Sequence, residues 1–240
     1  MQIPLLDSDY PLFPSPLDAL SEPDGLLAAG GNLLPETLVR AYRSGIFPWY
    51  QDGDPILWWS PATRCVIEPS ALHCSRSLRK SLRRKDYLVT LDRAFDQVIY
   101  ACSEPRDDDG GTWITEQMMA AYNVLHQRGD AHSIEVWHDH ELIGGLYGVA
   151  VGGLFCGESM YSRRRDSSKI AMAHLCRWAQ DTGIQLIDCQ LVNPHLSSLG
   201  AIGIERCEFL TRLSMYRDQV IDWPLPTADS PTPALDFDWG

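Results

Sequence analysis

From residue 133 onward, apolar and polar positions repeat with the period of extended strands. Ile134 and Val136 alternate with polar neighbours, His138 to Glu141 supplies a polar turn, and Leu142 to Val151 returns as a glycine-rich strand. The segment predicts a β-hairpin. Leu154 to Tyr161 is another apolar run, interrupted by Glu158, and the polar stretch SRRRDSS follows, with Asp166 or Ser167 as the candidate helix cap. Ala171, Met172, Leu175, Cys176, Trp178 and Ala179 then fall within roughly 160° of one helix, a core-facing stripe that Gly183 stops. Ile184 to Cys189 reads as a buried strand that delivers Asp188 and Gln190 to its far end. Side-chain alternation expects those two on one face and Cys189 on the other.

Upstream, Pro35 to Ser44 reads as a helix with Leu38, Ala41 and Tyr42 inward and Gly45 as its stop. An aromatic segment, GIFPWYQDGDPILWWSPATR, comes next, punctuated by prolines. Ser75 to Lys85 predicts a helix, Tyr87 to Leu91 a strand, Arg93 to Cys102 a helix, and Glu104 to Gly111 an acidic loop. The helix opened by Thr112 to Thr115 carries Met118, Ala121, Tyr122 and Leu125 on one side and closes at Gly129. After Ala201 come one more strand and helix, and the tail from Asp218, rich in Asp and Pro, is expected to pack poorly. The fold class is α+β: a small N-terminal domain over 1–63, a larger mixed-sheet domain flanked by helices over 64–215, and an acidic tail over 216–240.

A 240-residue chain that is 45% hydrophobic can bury a sizeable core. It has no apolar run of about 18 residues, and its N-terminus lacks a charged region followed by a long apolar one. The expectation is a soluble, cytoplasmic protein with no membrane partner. Seven cysteines with no CxxC spacing fit neither a disulfide framework nor a zinc site, so reduced thiols and no metal are expected. The net charge of −12 argues against nucleic acid, but its distribution reverses that argument. On the helix expected at 75–85, Arg76, Arg79, Lys80, Arg83 and Arg84 fall within roughly 140° of arc, opposite Leu78 and Leu82. Such a face suits a phosphate backbone, although an ordinary solvated amphipathic helix has the same pattern. Trp58 and Trp59 fit a core, whereas Trp49, in an irregular proline-rich loop, suits stacking on a flat ligand.

Several blocks in a fixed order carry a resemblance: EPDGLLAAGGNL, AYRSGIFPWY, PILWWSP, TWIT, LIGGLYGVAVGGLFCGESMYS, SSK and LIDCQ followed by HLSSLGA. Over about residues 10 to 215 the chain resembles the leucyl/phenylalanyl-tRNA protein transferase family. The resemblance implies an enzyme that moves Leu, also Phe and weakly Met, from aminoacyl-tRNA to the α-amino group of a protein with N-terminal Arg or Lys, marking it for degradation. It also implies a small N-terminal domain and a C-terminal domain similar to the acetyltransferase fold; no cofactor is expected, and a monomer is expected because nothing in the sequence resembles a dimer seam. Acetyltransferases hold coenzyme A with a glycine-rich turn entering a helix; here that turn is SRRRDSS, without glycine.

Under this resemblance Asp188 and Gln190 are the candidate catalytic pair. Gln190 would bind the attacking amine through its side-chain carbonyl, and Asp188 would polarise it or receive the proton. An Asp and Gln that merely satisfy buried backbone groups are the alternative. Leu146, Phe155, Met160, Met172, Leu175 and Ile187 are candidates for the aminoacyl pocket, where flexible methionines would fit either a branched or a planar guest. Trp49 and Trp113 are candidates to stack the terminal adenosine, with Tyr42 as a polar neighbour. Glu158 has two readings, a receptor for the acceptor's amine or basic side chain and a salt bridge to Lys169 or an arginine. Arg76, Arg79, Lys80, Arg83 and Arg84 are the candidate tRNA contacts. A coenzyme-A-dependent acetyltransferase and a non-catalytic RNA-binding module are the competing functions.

Overall fold

A computed structural model describes residues 3–84, 86–105, 113–224 and 234–239. In chain order the elements are β1 (Leu5–Leu6), β2 (Leu26–Gly30), α1 (Pro35–Arg43), β3 (Phe47–Pro48), β4 (Leu57–Trp59), β5 (Thr63–Ile67), α2 (Arg76–Leu82), β6 (Leu88–Leu91) and α3 (Phe95–Ser103). They continue as α4 (Glu116–Arg128), β7 (Ala131–His138), β8 (Glu141–Val151), β9 (Leu154–Ser162), α5 (Ser167–Thr182), β10 (Leu186–Gln190), α6 (Pro194–Ser198), β11 (Ile202–Glu205) and α7 (Arg206–Tyr216). A small sheet runs β1-β2-β4-β3, and a seven-stranded sheet runs β11-β5-β10-β9-β8-β7-β6. Within the large sheet β9 and β10 pair in parallel, with α5 as their crossover, while its other pairings are antiparallel. The mixed α+β class follows directly.

Each face of the large sheet buries its own apolar cluster. Leu38, Ala41 and Tyr42 of α1, Val98 and Ile99 of α3, Met118, Tyr122 and Leu125 of α4, and Phe209 and Leu213 of α7 cover one face. Leu27 and Trp58 of the small sheet belong to that same cluster, so the N-terminal region and the large sheet share one core. The stripe of α5, with Leu78 and Leu82 of α2, covers the other face. All six residues of the expected stripe are buried, at 7% exposure or less. At roughly 25 cal/mol per Å² such apolar faces supply the main drive to fold. The hairpin of β7 and β8 pairs from Ala131↔Val149 to His138↔Glu141, close to the expected bounds.

Two local expectations differ. The basic helix is shorter than 75–85: Ser75 caps it by accepting from the N–H of Leu78 at 3.2 Å, and Arg83 already serves as its C-terminal cap. The helix expected to open at Thr112 starts at Glu116, because Thr115 takes the N-cap and accepts from the N–H of Met118 at 3.2 Å. Most of the acidic loop, 106–111, and Thr112 lie outside the described residues.

The described parts of the tail, 218–224 and 234–239, also pack more closely than its composition suggested. Leu235 donates its backbone N–H to the carbonyl of Val89 at 2.9 Å, covering the edge strand β6, and Trp223 packs between the sheet and α5. The charge and proline density of this tail hid four apolar anchors, Trp223, Leu235, Phe237 and Trp239, that pack against the α5 face.

Candidate active site

The far ends of β9 and β10, the start of α5, the loop after β3 and the entry to α4 enclose a cavity of about 1170 Å³. Gly144 lets α5 approach the sheet here, since a Cβ there would stand 2.3 Å from the Ser167 hydroxyl oxygen. Ser167 donates that hydroxyl to the carbonyl of Ile143 at 2.8 Å. Asp166 stands at the N-cap of α5 as expected, but its backbone is left-handed and its carboxylate, instead of taking an N–H of the helix, accepts from the Ser81 hydroxyl at 2.9 Å.

The pairing register slips at the end of β10, although Cys189 still packs on the face opposite Asp188 and Gln190. The pairing with β5 runs Asp188↔Val66 and then Gln190↔Cys65, so Cys189 is an extra residue, and Gln190 takes a φ of 56°. Such a bulge re-aims the side chains around it. Gln190 and Cys189 line the cavity, whereas Asp188 is fully buried behind it. The expected meeting of acid and amide survives only through the backbone: the Gln190 N–H donates to Asp188 Oδ1 at 3.0 Å.

Asp188 is held by Arg64, a residue that sequence reasoning passed over. Arg64 Nε donates to Oδ1 at 2.8 Å and Nη2 to Oδ2 at 2.7 Å, a bidentate pair in which both side chains are at most 2% exposed. The guanidinium also donates to the Gly45 carbonyl at 3.2 Å and lies between the rings of Phe47 at 4.7 Å and Phe209 at 4.5 Å. The available signal was an arginine directly before the apolar run Cys65, Val66 and Ile67 in a buried strand, which requires a partner.

Glu158 is the carboxylate that the cavity does present. Its Oε1 accepts from the Gln190 amide at 2.8 Å, and its Oε2 accepts from the Tyr122 hydroxyl at 3.0 Å. Burial pushes its carboxyl up to about 7, against the opposing pull of the Tyr42 and Tyr122 hydroxyls. Neither Lys169 nor an arginine makes an ion pair with Glu158 among the described residues. Tyr122, read from sequence only as core, is therefore part of the site.

Of the six pocket candidates, Leu146, Phe155, Met160 and Met172 line the cavity. Leu175 and Ile187 do not. Both are fully buried in the core under α5, because only the first turns of that helix, through Ser168 and Met172, reach the opening. Trp49 and Trp113 stand on the wall, and Trp49 is 42% exposed. Trp49 meets Trp59 edge to face at 5.6 Å, and the Trp59 indole donates to its carbonyl at 2.6 Å. Tyr42 is not on the wall: it is 1% exposed, and its hydroxyl reaches the site from behind, in a short contact with Tyr122 and a hydrogen bond to Glu158. Arg76, Arg79, Lys80 and Arg83 line a separate groove with His73, Cys74 and Ser75, while Arg84 turns to an ion pair with Asp86.

Two family models cover most of the chain: "Leucyl/phenylalanyl-tRNA protein transferase" matches residues 66–214, and its N-terminal domain matches residues 31–62. The chain is thus an enzyme of the acyltransferase class. A leucyl/phenylalanyl-tRNA protein transferase from Azoarcus sp. (strain BH72) is 52% identical over 97% of this chain and 97% of its own length. One from Pseudomonas aeruginosa (strain LESB58) is 55% identical over 96% of each. The chain belongs to the leucyl/phenylalanyl-tRNA protein transferase family. Among solved structures, FemX is similar at a TM-score of 0.48 and 12% identity, covering 71% of this chain and 66% of FemX. A GCN5-related N-acetyltransferase from Kribbella flavida is similar at a TM-score of 0.38 and 12% identity, covering 72% of this chain and 60% of that one. No helix among the described residues is long and apolar enough to cross a membrane.

Proposed function

We propose that this enzyme transfers Leu, also Phe and weakly Met, from aminoacyl-tRNA to the α-amino group of proteins beginning with Arg or Lys, marking them for degradation. It acts as a cytoplasmic monomer. The observation that carries this reading is the Gln190–Glu158 hydrogen bond, set in one cavity between an apolar end, with Phe155, Met160 and Met172, and two indoles, Trp49 and Trp113.

The reaction is aminolysis of an ester. The amine nitrogen bonds to the ester carbonyl carbon, the bond from that carbon to the ribose oxygen breaks, and a proton passes from nitrogen to the departing oxygen. An α-amino group titrates near 8, so a base poised close to neutrality assists. Glu158, raised to about 7 and facing the cavity, matches that task. The Gln190 amide N–H is committed to Glu158, which leaves the side-chain carbonyl to accept from the incoming amine. Asp188 works one step removed: locked to Arg64, it holds the N–H of Gln190 and so the strained turn of β10. It is a positioning residue, and Asp188→Ala and Gln190→Ala each lower kcat by about 100-fold.

The apolar end takes the donor side chain, and the indoles take the terminal adenosine at about 1–3 kcal/mol per stacked base. Arg76, Arg79, Lys80 and Arg83 then meet the tRNA phosphates. The deciding experiment combines the protein with leucyl-tRNA and an Arg-initiated peptide and looks for one added leucyl residue by mass. Folded protein that adds none refutes the proposal, and acetylation from acetyl-CoA in a parallel reaction establishes the competing acetyltransferase.

A further inference from the structure

Trp223 lies seven residues after the last residue of α7, in the segment whose composition suggested no role. Its ring stacks on the His132 imidazole at 3.8 Å and 6°, and lies 4.2 Å from Trp178 of α5 and 5.7 Å from Phe155. His132 cannot yield, because its Nδ1 meets Asp92 Oδ2 at 2.6 Å and its Nε2 meets the Gly129 carbonyl at 3.1 Å. The Trp223 indole N–H has no acceptor among the described residues, so contact area rather than hydrogen bonding holds the ring.

Phe155 is the next layer. It lines the apolar end of the cavity, yet is only 1% exposed. Gly148 confines the ring from β8: a Cβ there would stand 2.7 Å from Phe155 Cε1 and Cζ. A ring confined on that side moves only if the group behind it does, and that group is Trp223.

We infer that Trp223 is a specificity-determining positioning residue: the C-terminal segment fixes, through Phe155, how deep the donor pocket is. The inference rests on the aminoacyl-transfer reading above. Close packing makes the pocket wall sensitive to the layer supporting it. Because one methylene in such a pocket changes selection by about 10–200-fold, a ring that falls back into the space of a missing indole favours the bulkier donor.

The test uses full-length protein and lets leucyl- and phenylalanyl-tRNA compete for one Arg-initiated peptide, reading the two products by mass. Trp223→Ala raises the Phe-to-Leu ratio of kcat/KM about 10-fold or more. Trp223→Phe, which keeps an aromatic ring on His132, raises it about threefold. Thermal melts establish that each variant is folded, and an Ala variant that does not fold leaves the decision to Trp223→Phe. Loss of both products in equal proportion, with the ratio unchanged, overturns the inference and makes Trp223 purely structural. Wild-type protein that transfers neither residue removes the underlying reading itself, an outcome distinct from an unchanged ratio.

Discussion

Replacing Arg64 by methionine keeps an unbranched chain between Phe47 and Phe209 but removes the charge that faces Asp188. Asp188 is 0% exposed, and after the substitution it retains only neutral partners such as the N–H of Gln190 and the Cys156 thiol. Leaving one member of a buried ion pair uncompensated costs about 3–5 kcal/mol. At a urea slope of roughly 3 kcal/mol per molar, the unfolding midpoint falls by about 1–1.7 M. Asp188→Asn alone strands the arginine and destabilises by a similar mechanism. The double variant Arg64→Met with Asp188→Asn removes both charges and loses less than the sum of the singles, by about 2–3 kcal/mol of coupling. Urea titrations of the four proteins measure the cycle. A loss under about 1 kcal/mol for Arg64→Met, or strict additivity in the double variant, refutes the claim that this pair organises the end of β10.

Other outcomes follow from the same geometry. Glu158 holds its proton to about pH 7 in the folded protein, against 4.5 for its ordinary value, so its favourable contribution is complete below about 4.5 and disappears as pH rises toward 7. Glu158→Gln, permanently neutral, flattens that decline by up to about 3 kcal/mol, seen by comparing unfolding at pH 5 and pH 8; an identical pH slope in both proteins refutes the buried-carboxyl account. Removing Arg79, Lys80 and Arg83 reduces the salt dependence of tRNA binding by about 0.7–0.9 log unit per lost contact, and an unchanged slope puts the nucleic acid elsewhere. Met160→Ala alters the preference among Leu, Phe and Met donors more than it lowers the melting temperature; equal losses for all three remove Met160 from the pocket.

Regular repetition made much of the framework readable. The β7 and β8 hairpin and the α5 stripe follow from alternation and helical period, and both appear nearly as read. Asp188 was placed on the correct strand and on the face opposite Cys189, but it lies behind the cavity wall instead of on it, because Arg64 of β5 clasps its carboxylate there. Leu175 and Ile187 were expected in the pocket because their elements converge beside Asp188, whereas the position of each side chain along its element decides whether it reaches the opening. Tyr42 and Tyr122 were both recognised as inward, but that their hydroxyls converge on Glu158 depends on the packing of α1 against α4, which no local pattern encodes. Trp223 was obscured by acidic and proline-rich neighbours, where average composition outweighed a single large ring.

The arginine clasp on Asp188 also orders the events of synthesis. Its two members are separated by 124 residues, and one of the rings that cover it, Phe209, emerges later still. Long-range closure of this kind is slow and comes late in folding. A nascent or truncated chain ending before Phe209 therefore leaves the guanidinium wet and the turn at Gln190 unsupported, and the reacting end of the molecule matures only once nearly the whole polypeptide has left the ribosome.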